Sequence, residues 1–164
     1  MTLARKLFGF EGRLRRQDWW MLVLSLALGQ LVVGELLICL WLGQERSLFG
    51  GGVAARWADQ PALAIMGAVA VAALWPRTAL AAKRAHDRDR GAAIVVVAVL
   101  AADILSLASP MLTAPSWPAA TVGGLAALGL VSWLLVNLGC LEGTRGPNRF
   151  GPSPKTASHQ VSVG

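Results

Sequence analysis

The stretch WWMLVLSLALGQLVVGELLICLWL, residues 19–42, holds one charged residue, Glu35, and one other strongly polar side chain, Gln30. A helix crossing a hydrocarbon core of about 30 Å needs about 20 predominantly apolar residues, and this run is long enough. It is also longer than the apolar core of a secretory signal, and Arg5, Lys6, Arg13, Arg15 and Arg16 all precede it. Three further runs of similar character follow: 61–82, with Pro76 and Arg77 near its end; 91–113, with Asp103 inside; and 119–141, with Asn137 near its end. The pattern predicts an all-α polytopic membrane bundle of four transmembrane helices. It forms a single domain over residues 1–155, followed by a flexible polar tail at 156–164. Between the spans lie a Gly-rich loop around Gly50–Gly52, a short charged loop from Lys83 to Arg90, and a Pro-broken turn at 114–118.

Composition agrees with this reading. The 164 residues are 55% hydrophobic and 15% charged, with a mean hydropathy of +0.55, where soluble domains carry roughly a quarter charged residues. The net charge of +6 does not point to nucleic acid, because the basic residues cluster beside long uncharged runs instead of lining one helix face. Twelve of the 15 Lys and Arg fall before the first run, between the second and third, or after the fourth. That bias places both termini and the 83–90 loop in the cytoplasm. Trp19, Trp20, Trp41, Trp57 and Trp117 fall at helix ends, where amphipathic rings prefer to sit, while Trp75 and Trp133 lie deeper and are expected to pack. Cys39 and Cys140 sit in apolar runs, near opposite membrane faces, with no metal-ligand spacing.

Three polar motifs remain once the spans are set aside, and four crossings bring all three to one face. They are Phe10-Glu11-Gly12-Arg13-Leu14-Arg15-Arg16-Gln17-Asp18-Trp19-Trp20, Lys83-Arg84-Ala85-His86-Asp87-Arg88-Asp89-Arg90-Gly91, and the segment from Glu142 to Pro154. Together they resemble the bacterial inner-membrane family of domain of unknown function 805, the YhaH-like proteins. The resemblance rests on Phe10, Gly12, Arg13, Arg16, Trp19 and Trp20 before the first helix. After the last helix it rests on Gly143, Thr144, Gly146, Asn148, Arg149, Phe150, Gly151 and Pro154. The central motif fits at Lys83, Arg84, His86 and Asp87, but Ala85 replaces a Leu, and Ala92 and Ala93 stand where the family carries Trp. The resemblance implies a location in the bacterial inner membrane and brings no activity or cofactor with it.

Arg13, Arg16, Arg84, His86, Asp87, Asn148 and Arg149 are the candidate binding residues, expected to converge on one cytoplasmic patch. Asp87 and Asp89 should pair there with Arg13, Arg16 or Arg149. Neighbouring cations, including Arg15, Lys83, Arg88 and Arg90, could face anionic head groups or serve as ordinary positive-inside anchors. A metal site needs three or four convergent ligands, and beyond His86 the chain offers only His159 in the tail. Counting 1.5 Å per residue puts Glu35 about 24 Å and Asp103 about 17 Å from the cytoplasmic ends of their helices, where a lone carboxylate is costly. Arg77 is expected to snorkel to the cytoplasmic head groups. No nucleophile–base pair or metal quartet shares a common depth. The expected function is therefore non-enzymatic: a membrane protein whose motif cluster binds a lipid head group or a partner protein, with a second copy of the chain as another partner. The alternative is a small transporter or channel-like subunit using Glu35 and Asp103.

Overall fold

The computed structural model describes residues 3–43, 60–108 and 117–153. The Gly50–Gly52 loop, residues 114–116 of the Pro-rich turn, Trp57 and the 156–164 tail lie outside the described residues. All regular structure that is described is helical: α1 (Leu3–Phe8), α2 (Arg16–Leu42), α3 (Gln60–Ala72), α4 (Leu74–Asp87), α5 (Ala93–Ala108) and α6 (Trp117–Leu134). The last of these continues as a π-helical segment, Leu135–Cys140.

Two helices, Arg16–Leu42 and Thr121–Cys140, are long and apolar enough to cross a membrane. A third candidate is the α3–α4 pair, which is bent by 44° at its break. The bend has a local cause. Pro76 has no N–H to offer the Ala72 carbonyl, and its ring crowds that carbonyl. The ladder resumes only with Arg77 N–H donating to Ala73 O at 3.1 Å. The described part of α5 has 16 residues, about 24 Å of rise, and residues 109–113 of the expected third span lie outside the described residues.

The apolar surface is arranged for lipid. Leu24, Leu28, Leu36, Leu40, Val97, Ile104 and Leu125 are all more than half exposed, an outward apolar display that soluble proteins avoid. The buried core is a compact set of small and aliphatic side chains, among them Leu80, Ala81, Ala85, Val99, Ala102 and Leu138, with Trp19. Helix α4 is central: it packs on α1, α2, α3, α5 and the π segment, whereas α5 lies mainly against α6 and α4.

Four expectations need correction. The charged loop is shorter than the sequence suggested, because α4 continues through Asp87 and Lys83 and Arg84 are fully buried in it. Trp75 is 59% exposed and Trp133 40%, so neither lies deep in the core; Trp75 packs edge-on against Phe10 at 5.3 Å between centroids and donates Nε1–H to Phe8 O at 3.0 Å. Arg77 does not reach for head groups, since its Nη2 lies 2.7 Å from Asp103 Oδ1. Asp103 is thus no lone carboxylate. Its partner comes from α4, and Glu35 is buried in α2.

Candidate functional site

At the end of the bundle where α2 begins and α4 ends, the three sequence motifs meet. Arg13 precedes α2 in an extended segment, and its guanidinium reaches across 74 positions to Asp87: Nε donates to Oδ1 at 3.0 Å, and Nη2 lies 3.0 Å from the same oxygen. Asp87 Oδ2 accepts from Arg84 Nη1, one turn back on α4. The side chains of Arg13, Asp87 and Arg84 are 2%, 7% and 0% exposed. One buried carboxylate between two buried guanidiniums leaves an excess positive charge, which is costly unless the spare donors are also satisfied.

Backbone carbonyls complete the satisfaction. Arg13 donates to Thr144 O at 2.8 Å, Gly146 O at 2.7 Å and Gly151 O at 3.3 Å. Arg84 donates Nε–H to Leu138 O at 2.6 Å and also reaches Leu141 O. Arg88 binds Asn137 O at 2.7 Å, Arg16 binds Cys140 O at 3.2 Å, and Trp20 Nε1 donates to Gly139 O at 3.0 Å. The last carbonyls of a helix have no partner within it, and cations there also oppose the helix dipole. Here a π-helical end presents those carbonyls to four side chains from α2 and the end of α4. Lys83 does the same for the short α1, donating to Arg5 O and Lys6 O at 2.6 Å each.

The segment after the π helix folds back onto this centre. Thr144 N–H donates to Asp87 O at 2.8 Å. Asn148 donates Nδ2–H to His86 O at 2.9 Å and to Thr144 Oγ1 at 3.0 Å, while its Oδ1 accepts from Phe150 N–H. Asn148 and Gly151 exchange backbone hydrogen bonds and close a tight turn. Phe150 then stacks on His86, centroids 3.9 Å apart and 11° between planes. Two glycines are needed here. A Cβ on Gly143 would lie 1.9 Å from Asp87 Oδ2, and Gly146 has a φ of +90°.

His86 lies beyond the apolar stretch that ends at Ala82. Its pKa is lowered from the ordinary value, chiefly by burial and further by Arg149, against a backbone hydrogen bond with Gly12. Asp89 pairs with Arg149 at 3.2 Å in the open. Among the described residues, no three His, Cys, Asp or Glu side chains converge as a metal site would require.

Of the residues chosen from sequence, Arg13, Arg84, His86, Asp87, Asn148 and Arg149 are brought together. Arg16 stands beside them, exposed, on the rim of a polar cavity of about 190 Å³. Arg15, Gln17, Glu142, Thr144 and Ser153 also line that cavity. Sequence reasoning missed the structural use of Lys83, Arg88, Trp20 and Thr144. Thr144 stood in a quoted motif, but nothing distinguished Lys83 or Arg88 from surface anchors.

The chain is similar to known proteins along nearly its whole length. The chain is 28% identical to the inner membrane protein YhaH of Escherichia coli K12 over 156 residues, 94% of each chain. It is 26% identical to the inner membrane protein YhaI of the same strain over 160 residues, 97% of each. With the uncharacterized protein YiiR it shares 27% identity over 161 residues, 98% of this chain and 96% of the relative. No solved structure matches the chain. Residues 7–152 match the family model described as protein of unknown function DUF805, a range that begins before Arg13 and ends after Gly151, and so the chain that ties these three segments together belongs to the DUF805 family.

Proposed function

We propose that this chain is a non-enzymatic, multi-pass protein of the inner membrane, with four spans and both termini cytoplasmic, that holds the head group of an anionic phospholipid beside its polar centre. Contact among the three motif segments supports the four-span reading. Arg13 lies before α2, Asp87 ends α4, and Thr144 follows the π segment, so an even number of crossings must separate each from the next. The excess of Lys and Arg on this side favours the cytoplasm.

The observation that carries the head-group reading is the polar cavity. It opens at the start of α2, where the first N–H groups have no acceptor within the helix and Arg15 supplies no side-chain cap. A helix N-terminus with Arg15, Arg16 and Gln17 around it suits an anion. Asp87 also lines the cavity, but its charge is engaged by Arg13 and Arg84. The transport reading loses support because Asp103 is paired with Arg77 and is not a lone intramembrane carboxylate.

A ligand that binds only the folded state raises stability, by about 2.7 kcal/mol at a hundredfold excess over Kd. Phosphatidylglycerol added to the purified protein in detergent should therefore raise its melting temperature, and phosphatidylcholine should not. Arg15→Ala with Arg16→Ala should remove the difference. Equal shifts from both lipids would defeat the reading.

A further inference from the structure

A second cavity, of about 130 Å³, lies inside the bundle and is lined by Trp19, Arg77, Ala81, Val131, Leu135 and Leu138 among others. Its position relative to the polar cavity can be followed along three elements. On α2 the polar cavity takes Arg15 to Gln17, and the inner one takes Trp19 and Val23. On α4 they take Arg84 with Asp87, and Arg77 with Ala81. The polar cavity takes Glu142 to Thr144 from the segment that follows the last helix, and the inner one takes Val131 to Leu138 from that helix itself. The start of α2 and the end of α4 thus line both cavities, and on each the inner cavity lies about one to two turns deeper, roughly 5–10 Å, while α5 adds Val99 and Ala102 to the inner one. Arg84 stands at the junction, because it lines the upper cavity and donates to Leu138 O, the carbonyl of a residue lining the lower one.

From this stacking we infer that the two cavities form one seat for a single anionic phospholipid, its phosphate in the polar cavity and the first methylenes of one acyl chain in the apolar cavity below. This rests on the head-group reading above and adds to it a place for the start of the lipid's tail. The lower cavity is close in size to an engineered apolar cavity of about 150 Å³ that binds benzene, so it takes only a short stretch of chain. The rest of the tail leaves between α6 and its neighbours, where Val131 and Leu135 are more than a third exposed. A π-helical wall suits such a slot, since π segments often mark functional positions within helices.

The test uses the full chain in detergent, titrated by native mass spectrometry with dipalmitoyl phosphatidylglycerol and with glycerophosphoglycerol, the same head group without acyl chains. Val131→Phe and Leu135→Trp, both at partly exposed positions, narrow the inner cavity. Either should weaken binding of the lipid by about fivefold or more, a free-energy change of about 1 kcal/mol, and leave the chain-free head group unchanged. Arg16→Ala should weaken both ligands. Melting temperature selects whichever filling variant is folded. If folded filling variants bind the lipid like the wild type while Arg16→Ala still weakens it, the tail slot is wrong and the head-group site stands. If neither ligand binds, or Arg16→Ala changes nothing, both readings fall.

Discussion

Asp87→Asn removes one charge and almost no volume, and it tests whether the centre holds the protein together. The carboxylate stands between Arg13 and Arg84, and none of the three side chains is more than 7% exposed. Asparagine keeps one acceptor oxygen but turns an amide NH2 donor toward the other guanidinium, and it leaves two buried cations without a counter-charge. Removing one partner from a buried pair costs about 3–5 kcal/mol, a large fraction of the 5–15 kcal/mol that holds ordinary domains folded. Asp89→Asn is the control. Its pair with Arg149 is 46% and 61% exposed, and such pairs contribute about 0–1 kcal/mol. The expected gap between the two variants is therefore about 2–5 kcal/mol. It would be read as the shift in thermal unfolding in detergent followed by Trp fluorescence, with membrane abundance by immunoblot. Equal shifts from Asp87→Asn and Asp89→Asn would refute the claim that burial makes this carboxylate indispensable.

Gly143→Ala should destabilise by about 1–3 kcal/mol, because its Cβ would overlap Asp87, while Gly123→Ala, with no atom within 4 Å of its Cβ, should be neutral or stabilising by up to about 1 kcal/mol; similar melting temperatures for the two would count against the packing described. The lowered pKa of His86 means that the unfolded chain takes up its proton first as pH falls. Its contribution to stability is complete above the ordinary value of about 6.5 and is lost as pH falls from there toward the folded pKa. His86→Asn should flatten the wild type's loss of melting temperature between about pH 7 and 5, and an unchanged slope would show that other groups control it. Cys39 and Cys140 are both free, the first half-buried and the second exposed. With Cys39 changed to Ala, a membrane-impermeant maleimide should label Cys140 in inverted vesicles and not in spheroplasts, whereas labelling in spheroplasts would reverse the proposed orientation.

Much of this was legible in the sequence because hydrocarbon is an unforgiving solvent. The run from Trp19 to Leu42 could be little other than a membrane-crossing helix, and α2 covers it with one extra turn at its start. The meeting of Arg13, Asp87 and Asn148 followed from parity and from the need to pair charges. What could not be read was which cations face inward. Lys83 looks like a surface anchor by composition, and Arg84 stood out only as part of a motif, yet both are fully buried, because they satisfy carbonyls at the ends of α1 and the π segment. That demand exists only once those ends have been placed beside α4. The π turn itself has no sequence signature. The Arg77–Asp103 pair was hidden for a similar reason: with the bend at Pro76 and the packing of α4 on α5 unknown, depth counted along separate helices did not bring the two together.

The central claim is that the cavity beside Arg15 and Arg16 holds an anionic head group in the membrane itself, and the lipids that survive purification test it most directly. Wild-type protein extracted from its native membrane in mild detergent should retain phosphatidylglycerol or another anionic phospholipid, by mass spectrometry, well above its share of the bulk membrane. A folded Arg15→Ala, Arg16→Ala variant should retain it only in that share. An identical lipid profile for the two proteins would contradict the account.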